Sequence, residues 1–240
     1  MSDLRRSMRG VTLAELVVMA SIVAVLTGML MPAFARAKEK SLRAACASNF
    51  YQISFALRQY REDYQDWPSW LSCLYPEYIA DESVFICPAD SSLGSNGCVP
   101  DRSPFTEAGA PQYPEADDTP HGTAPEEVKA LRNPKVKACS YLYDLNPAEC
   151  SWWTGGSYPD ANADGVVTWR EVRTLVDMAG LQPNGKRSAK DAHRGHVPVV
   201  RCFHHVVKRF DGTAPVLNLA IEDRNVYVSG PFKDDWKACK

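Results

Sequence analysis

Nineteen consecutive residues without a charge, Leu16 to Phe34, constrain this chain more than anything else in it. As a helix they span roughly 28 Å at about 1.5 Å per residue, close to the ~30 Å hydrocarbon core of a bilayer. Arg5, Arg6 and Arg9 precede the run. By the positive-inside rule they hold the N-terminus in the cytoplasm, so everything beyond Arg36 lies outside it. An ordinary secretory signal would show a similar run, and Ala33-Phe34-Ala35 has the small-residue form of a cleavage site. A plain, uncut signal anchor is the other simple reading. Neither explains Glu15, a carboxylate at the threshold of the apolar segment, where burial without a partner is costly. Thr12-x-x-Glu15 also has the form of a capping box, in which Glu15 satisfies a backbone N–H at the helix start.

Gly10 followed by Val11-Thr12-Leu13-Ala14-Glu15-Leu16-Val17-Val18 resembles the class III leader of type IV prepilins and type II secretion pseudopilins. The resemblance implies that a prepilin peptidase cuts between Gly10 and Val11 and that Val11 becomes the N-methylated first residue. The family usually has Phe where Val11 stands. It also implies that the apolar segment is kept and that Glu15, fifth in the mature chain, pairs with the N-terminal amine of a neighbouring subunit. Pro32 lacks an N–H and frees the carbonyl of Gly28, so 28–32 is the expected place for a kink. Pilin-like subunits often carry a proline here, in a stretch that can unwind on assembly.

The helical pattern continues past the membrane segment. Leu42, Cys46, Phe50, Ile53, Leu57, Tyr60 and Tyr64 recur at helical steps and form one apolar stripe. Arg36, Lys38, Glu39, Lys40 and Arg43 form a solvated collar before it, and Pro68 marks the stop. The stretch around Cys46, Asn49, Gln52 and Ile53 resembles the "C-x-x-N-x-x-Q-I" stem of a bacterial subgroup of secretion-type pseudopilins. Phe85-Ile86-Cys87-Pro88-Ala89-Asp90 resembles that subgroup's "F-x-C-P-S-D" element. Residues 217–227 resemble its closing hairpin, with Arg224-Asn225 in place of Asp-Gly.

The division that follows is a leader at 1–10, a transmembrane and polymerisation helix at 11–35, a helical stem at 36–66 and an extracytoplasmic head at 67–240. Val136 to Leu145, Val197 to Phe203, Val216 to Ile221 and Asn225 to Ser229 read as strands. The expected class is α+β: a long N-terminal helix packed on a small antiparallel sheet, the pilin-like arrangement. The segment 88–126, rich in Pro, Gly, Ser and Asp, reads as a long surface loop. Removing the first ten residues takes three arginines and one aspartate from totals of 27 and 29, which leaves a net charge of −4. That is no nucleic-acid footprint.

Eight cysteines, Cys46, Cys73, Cys87, Cys98, Cys139, Cys150, Cys202 and Cys239, are many for such a head. Their even count and an oxidising compartment favour disulfides, and closures such as Cys73–Cys87 or Cys139–Cys150 fit the spacing. No C-x-x-C pair points to a zinc ribbon or a thioredoxin site.

Residues 160–171 match every position of D-x-[DN]-x-[DN]-G-x5-E, the EF-hand-type calcium loop. Asp160, Asn162 and Asp164 would supply side-chain oxygens. Val166 would supply its carbonyl, Thr168 a hydroxyl or water, and Glu171 a bidentate carboxylate, while Gly165 permits the sharp turn. Val172, Leu175, Val176 and Ala179 give the following helix one apolar face, with Gly180 as its stop. The preceding helix is not visible, so the loop resembles a solitary or dockerin-like site in a structural role. An acidic, Asx-rich turn without metal is the plainer alternative. Major pseudopilins of type II secretion also order a head loop with calcium.

No catalytic elbow or phosphate loop is present. His193, His196, His204 and His205 read as surface or packing residues, and Asp117-Asp118 and Asp234-Asp235 as solvated pairs. The expectation is a non-enzymatic subunit of a type II secretion or type IV pilus-like filament. Its partners are prepilin peptidase, related subunits and the inner membrane, and its ion is Ca²⁺. The alternative is a membrane-anchored calcium-binding adhesion module that does not polymerise.

Overall fold

The computed structural model describes residues 12–98, 114–151, 153, 159–182, 186, 197–205, 216–220 and 225–229. Gly10, Val11, His193, His196, Asp234, Asp235 and Cys239 lie outside the described residues. The chain divides into two compact units, 1–41 and 42–240.

In the first unit, helix α1 (Leu13–Tyr64) begins at a complete capping box. The Thr12 N–H and hydroxyl both donate to Glu15 Oε2 at 2.9 Å, and Glu15 N–H donates to Thr12 Oγ1 at 3.3 Å. The helix runs through Pro32 without a break. Ser21 and Thr27 turn their hydroxyls back onto the carbonyls of Val18 and Val23, so neither presents a bare donor to its apolar surroundings. The large apolar side chains from Leu13 to Phe34 are all exposed. This is a helix long and apolar enough to cross a membrane, with a mean hydropathy of 2.2 over an 18-residue window.

In the second unit the stripe on α1 enters the core. Cys46, Phe50, Ile53 and Leu57 are fully buried. Burying each of the three larger side chains contributes about 1.5–3 kcal/mol. Leu42 and Tyr60 are half-buried, and Tyr64, the last of the expected stripe, is exposed. Phe50 meets the ring of Tyr141 edge-on, with centroids 5.1 Å apart.

The sheet is a four-stranded antiparallel meander in the order β1 (Leu142–Tyr143), β2 (Val200–Cys202), β3 (Val216–Ala220) and β4 (Asn225–Ser229). Leu142 pairs with Arg201, Val200 with Leu219, and Leu219 with Val226. A small sheet and a long helix give an α+β chain. The first strand is much shorter than the apolar run from Val136 to Leu145 suggests. The reason lies in its backbone partners. Cys139 N–H bonds to the Gly94 carbonyl and Ser140 N–H to the Phe85 carbonyl, so this stretch is satisfied by the 85–94 segment rather than by a ladder.

Two expectations are corrected here. The described ends of the 88–126 segment are not plain surface loop, because Cys98, Ala116, Asp118, Thr119 and Ala124 are buried. Asp118 is not solvated either. Its carboxylate accepts the Ser72 N–H at 2.7 Å, the Ser72 hydroxyl at 2.9 Å and Arg132 Nε at 2.7 Å, and both ionic side chains are buried. Ser72, which brings Asp118 its two further hydrogen bonds, belongs to the short helical turn Leu71–Leu74 and is itself fully buried. Beside Asp118, burial pushes the Asp117 carboxyl up to about 6. Its Oδ2 accepts the Thr119 hydroxyl, whereas its Oδ1 is buried without a hydrogen bond.

Arg132→Ala strands the Asp118 carboxylate and should cost about 3–5 kcal/mol, read as a lowered denaturation midpoint. Asp117 has a folded value above its ordinary one. It therefore subtracts stability at neutral pH, and that loss disappears as pH falls through about 6 toward 4. Asp117→Asn should raise stability by about 1–2 kcal/mol at pH 7.5 and by little at pH 4, as thermal melts at both pH values would show.

Candidate functional site

The acidic loop 160–171 is organised by its own hydrogen bonds. Gly165 N–H donates to Asp160 Oδ2 at 2.8 Å, closing the turn from its first position to its sixth. That turn needs φ +86° at Gly165, and Ala163 takes φ +60° two residues earlier. Asp164 N–H reaches Asn162 Oδ1 at 3.3 Å, and Val166 N–H reaches Asp164 Oδ1 at 2.8 Å. At the far end Thr168 caps helix α2 (Trp169–Glu171) with a second complete capping box. Glu171 Oε2 accepts the Thr168 N–H and hydroxyl, each at 2.9 Å. Glu171 Oε1 accepts the Ala161 N–H at 2.9 Å, so this one side chain joins the two ends of the loop.

The second half of the loop is zipped onto the segment before it. Cys150 N–H bonds to the Val167 carbonyl, Trp169 N–H to Ala148 and Arg170 N–H to Asn146. Arg170 then reaches across to the end of α1. Its guanidinium donates to Leu145 O, Trp67 O and Pro68 O and pairs with Asp66 at 3.2 Å.

The helix after the loop differs from the expected one. Residues Val172–Met178 form a π-turn. Ala179 N–H bonds to Thr174, five residues back. The widened turn moves the buried positions to Val172, Arg173, Asp177 and Met178, so Leu175, Val176 and Ala179 are only half-buried. Arg173 binds Asp177 at 2.6 Å and Asp144 at 2.8 Å, and Asp144 also takes Arg201 at 2.9 Å. Burial opposes the charge on Arg173, but these carboxylates outweigh it and raise its pKa further.

The six predicted calcium residues fit that ion by type: every donor is oxygen, in the expected order. Asp160 Oδ1 is buried and without a hydrogen bond. The carboxylates are not, however, the closest gathering of ligand atoms. Among the described residues, one group of three or more His, Cys, Asp or Glu donor atoms converges to within 4.8 Å, and it is Cys46, Cys87, Cys202 and His205.

All four are buried. Cys46 comes from the α1 stripe and Cys87 from the Cys-Pro turn that follows the short helix Glu82–Phe85. Cys202 ends β2, and His205 lies in the turn after it. Cys87 Sγ sits 3.3 Å from His205 Nε2, between residues 118 apart in sequence. The Ala89 N–H donates to Cys87 Sγ at 3.4 Å, across Pro88. Cys46 Sγ lies 3.6 Å from Tyr141 Oη, which accepts Asn49 Nδ2 at 3.1 Å. A second Asn49 bond, 3.0 Å to the Ile86 carbonyl, fixes the residue before Cys87. Hydrogen bonds from Cys202 and Cys46, then His205, pull the Cys87 thiol well below its ordinary pKa. Burial pushes Cys202 well above its own.

No known family model, curated protein or solved structure matches this chain.

The cysteines correct the disulfide expectation. Cys46, Cys73, Cys87, Cys98, Cys139, Cys150 and Cys202 are free thiols, and no disulfide joins any of them among the described residues. Cys73 turns to the Leu131 carbonyl and Cys139 to that of Tyr141, whereas Cys87 faces the cluster, so the closures suggested by spacing do not form. His205 is buried against Cys87 rather than at the surface. Its available signal was Cys202-x-x-His205, a metal-type spacing that a search for C-x-x-C passes over. His204 points elsewhere, to Asp90 at 3.6 Å, and burial lowers its pKa. Asp90 itself holds the following turn through Ser92, Gly94 and Ser140.

Gly165→Ala forces a side chain into the left-handed region without any steric clash, since nothing lies within 4 Å of the added carbon. It should cost about 1–2 kcal/mol in thermal melts, from backbone strain alone.

Proposed function

We propose that this chain is a pilin-like structural subunit of the pseudopilin type. It would be processed by prepilin peptidase between Gly10 and Val11 and assembled through α1 into a type II secretion or type IV pilus-like filament. One observation carries the reading. The same helix that buries Cys46, Phe50, Ile53 and Leu57 in the head leaves every large apolar side chain from Leu13 to Phe34 exposed. Such a surface is stable only in lipid or against copies of itself.

Glu15 fits both environments. Its Oε2 is taken by the Thr12 cap, and its remaining oxygen is the one a neighbouring N-terminal amine would engage. In the membrane the cap reduces the cost of the carboxylate, and in the filament the amine neutralises it. Pro32 marks where the helix can loosen on assembly. The N-terminus is cytoplasmic, the head extracytoplasmic, and the role non-enzymatic.

The loop 160–171 is the proposed calcium site, with Asp160, Asn162, Asp164, Val166, Thr168 and Glu171 as ligands. Bound calcium would supply a fixed positive charge that holds the acidic turn in one conformation. This chain's own contribution is positional. Arg170 ties the loop to residues 66–68 where α1 ends, so ordering the loop steadies the junction of stem and head.

Intact-mass analysis of membrane-extracted protein should give a chain that starts at methylated Val11. A chain starting at Arg36 would instead mark a cleaved secretory signal. Glu15→Ala should reduce filaments in sheared surface fractions at least tenfold while leaving the calcium response intact. Wild-type monomers at the surface would favour the anchored adhesion module. Calcium should raise the melting temperature by several degrees over chelator, and Asp160→Ala should abolish that difference.

A further inference from the structure

The interior holds a second ligand set, unrelated to the acidic loop by position or chemistry. We propose that Cys46, Cys87, Cys202 and His205 form a four-coordinate structural zinc site that fastens the stem helix to the sheet.

Four observations converge on it. The donor set is three sulfurs and one imidazole nitrogen, all within 4.8 Å of one another. A tetrahedral zinc with bonds of about 2.0–2.3 Å places its ligand atoms roughly 3.5–3.8 Å apart, so an ion fits at the centre with small side-chain shifts. The site is closed, since all four residues are buried and no open position is left for a substrate. Soft thiolates with an imidazole select zinc over the oxygen-seeking calcium of the acidic loop.

The surroundings are built for thiolates. The Ala89 amide donates to Cys87 across the Cys-Pro turn, a backbone bond that favours a negative sulfur. The Tyr141 oxygen accepts from Asn49 Nδ2 at 3.1 Å and from the Cys46 thiol at 3.6 Å, and once that thiol has lost its proton the phenol O–H is in place to donate to the sulfur. Asn49 also holds the carbonyl of Ile86, next to Cys87. Two groups outside the coordination sphere therefore orient two of the ligands. On binding, the three thiol protons pass to solvent and the sulfurs bond to Zn²⁺, with no oxidation or reduction.

Disulfide formation cannot use the site as well. Three thiols give at most one bond and leave a third buried and unpaired beside His205. Zinc uses all four groups. It also joins three segments far apart in the chain: α1, the Cys-Pro turn and the end of β2. Closing such long loops removes much of the unfolded chain's freedom.

The test uses the full chain in detergent, isolated without chelator and exposed to Zn²⁺ alone. Elemental analysis should find one zinc per chain, falling at least tenfold in Cys202→Ser and staying near one in Cys73→Ser. His205→Cys should retain the metal, which separates lost ligation from lost folding. Cobalt substituted for zinc should show thiolate-to-metal charge transfer and the strong visible bands of a tetrahedral ion. Phenanthroline, which leaves calcium alone, should lower the melting temperature. A zinc-free protein, equal zinc in Cys202→Ser and wild type, or cobalt bands of an octahedral, sulfur-free site would overturn the proposal. None of these outcomes depends on filament assembly or on the acidic loop.

Discussion

The packing of one helical stripe sets the rest of the head. Phe50, Ile53 and Leu57 give α1 a buried face, and the sheet, the Cys-Pro turn and Tyr141 close around it. The face is narrow. Tyr51 and Phe55, one or two positions away, stay exposed. The helix therefore uses its apolar side chains in two ways: its first half leaves them exposed, and its second half buries them as core. This division follows from the sequence of α1 alone. An uncharged run comes first, then the collar from Arg36 to Arg43, then apolar residues at helical spacing.

Around that stripe the interior is unusually polar. Asp118 with Arg132, and Asp144 with Arg173 and Arg201, are ionic groups with almost no access to water. Buried pairs of this kind rarely add much net stability compared with apolar residues of the same size, but they allow only one arrangement. Asp144 makes the point. Its Oδ2 holds an arginine from β2 and another from the π-turn, so strand and turn must meet at a single register. The hydrophobic core supplies the driving force, and the charges choose among the ways of packing it.

What could be read from the sequence is what local patterns encode. The stripe from Cys46 to Leu57, the paired strands after residue 215, the glycine turn at Gly165 and the Thr12-x-x-Glu15 cap are each contained in a short stretch of sequence, and each is found where expected. The features that escaped depend on distant partners. Nothing near Asp118 announces Arg132 as its buried counter-ion. The stretch from Val136 has strand composition, but its amides go to the 85–94 segment. The apolar spacing after Glu171 assumed an ordinary helix, and a single wider turn moved the buried positions onto Arg173 and Asp177. Cysteine number suggested pairs, whereas position in the fold gathers three thiols and one histidine.

Arg170 has a mechanical meaning. It sits inside the acidic loop, yet three of its bonds grip the chain at 66–68, just past the last turn of α1. A load arriving along the helix is met there by several bonds acting side by side, and by the loop that carries them. The arginine is thus a strut: stiffening the loop stiffens the joint, and a slack loop would let the helix end swing.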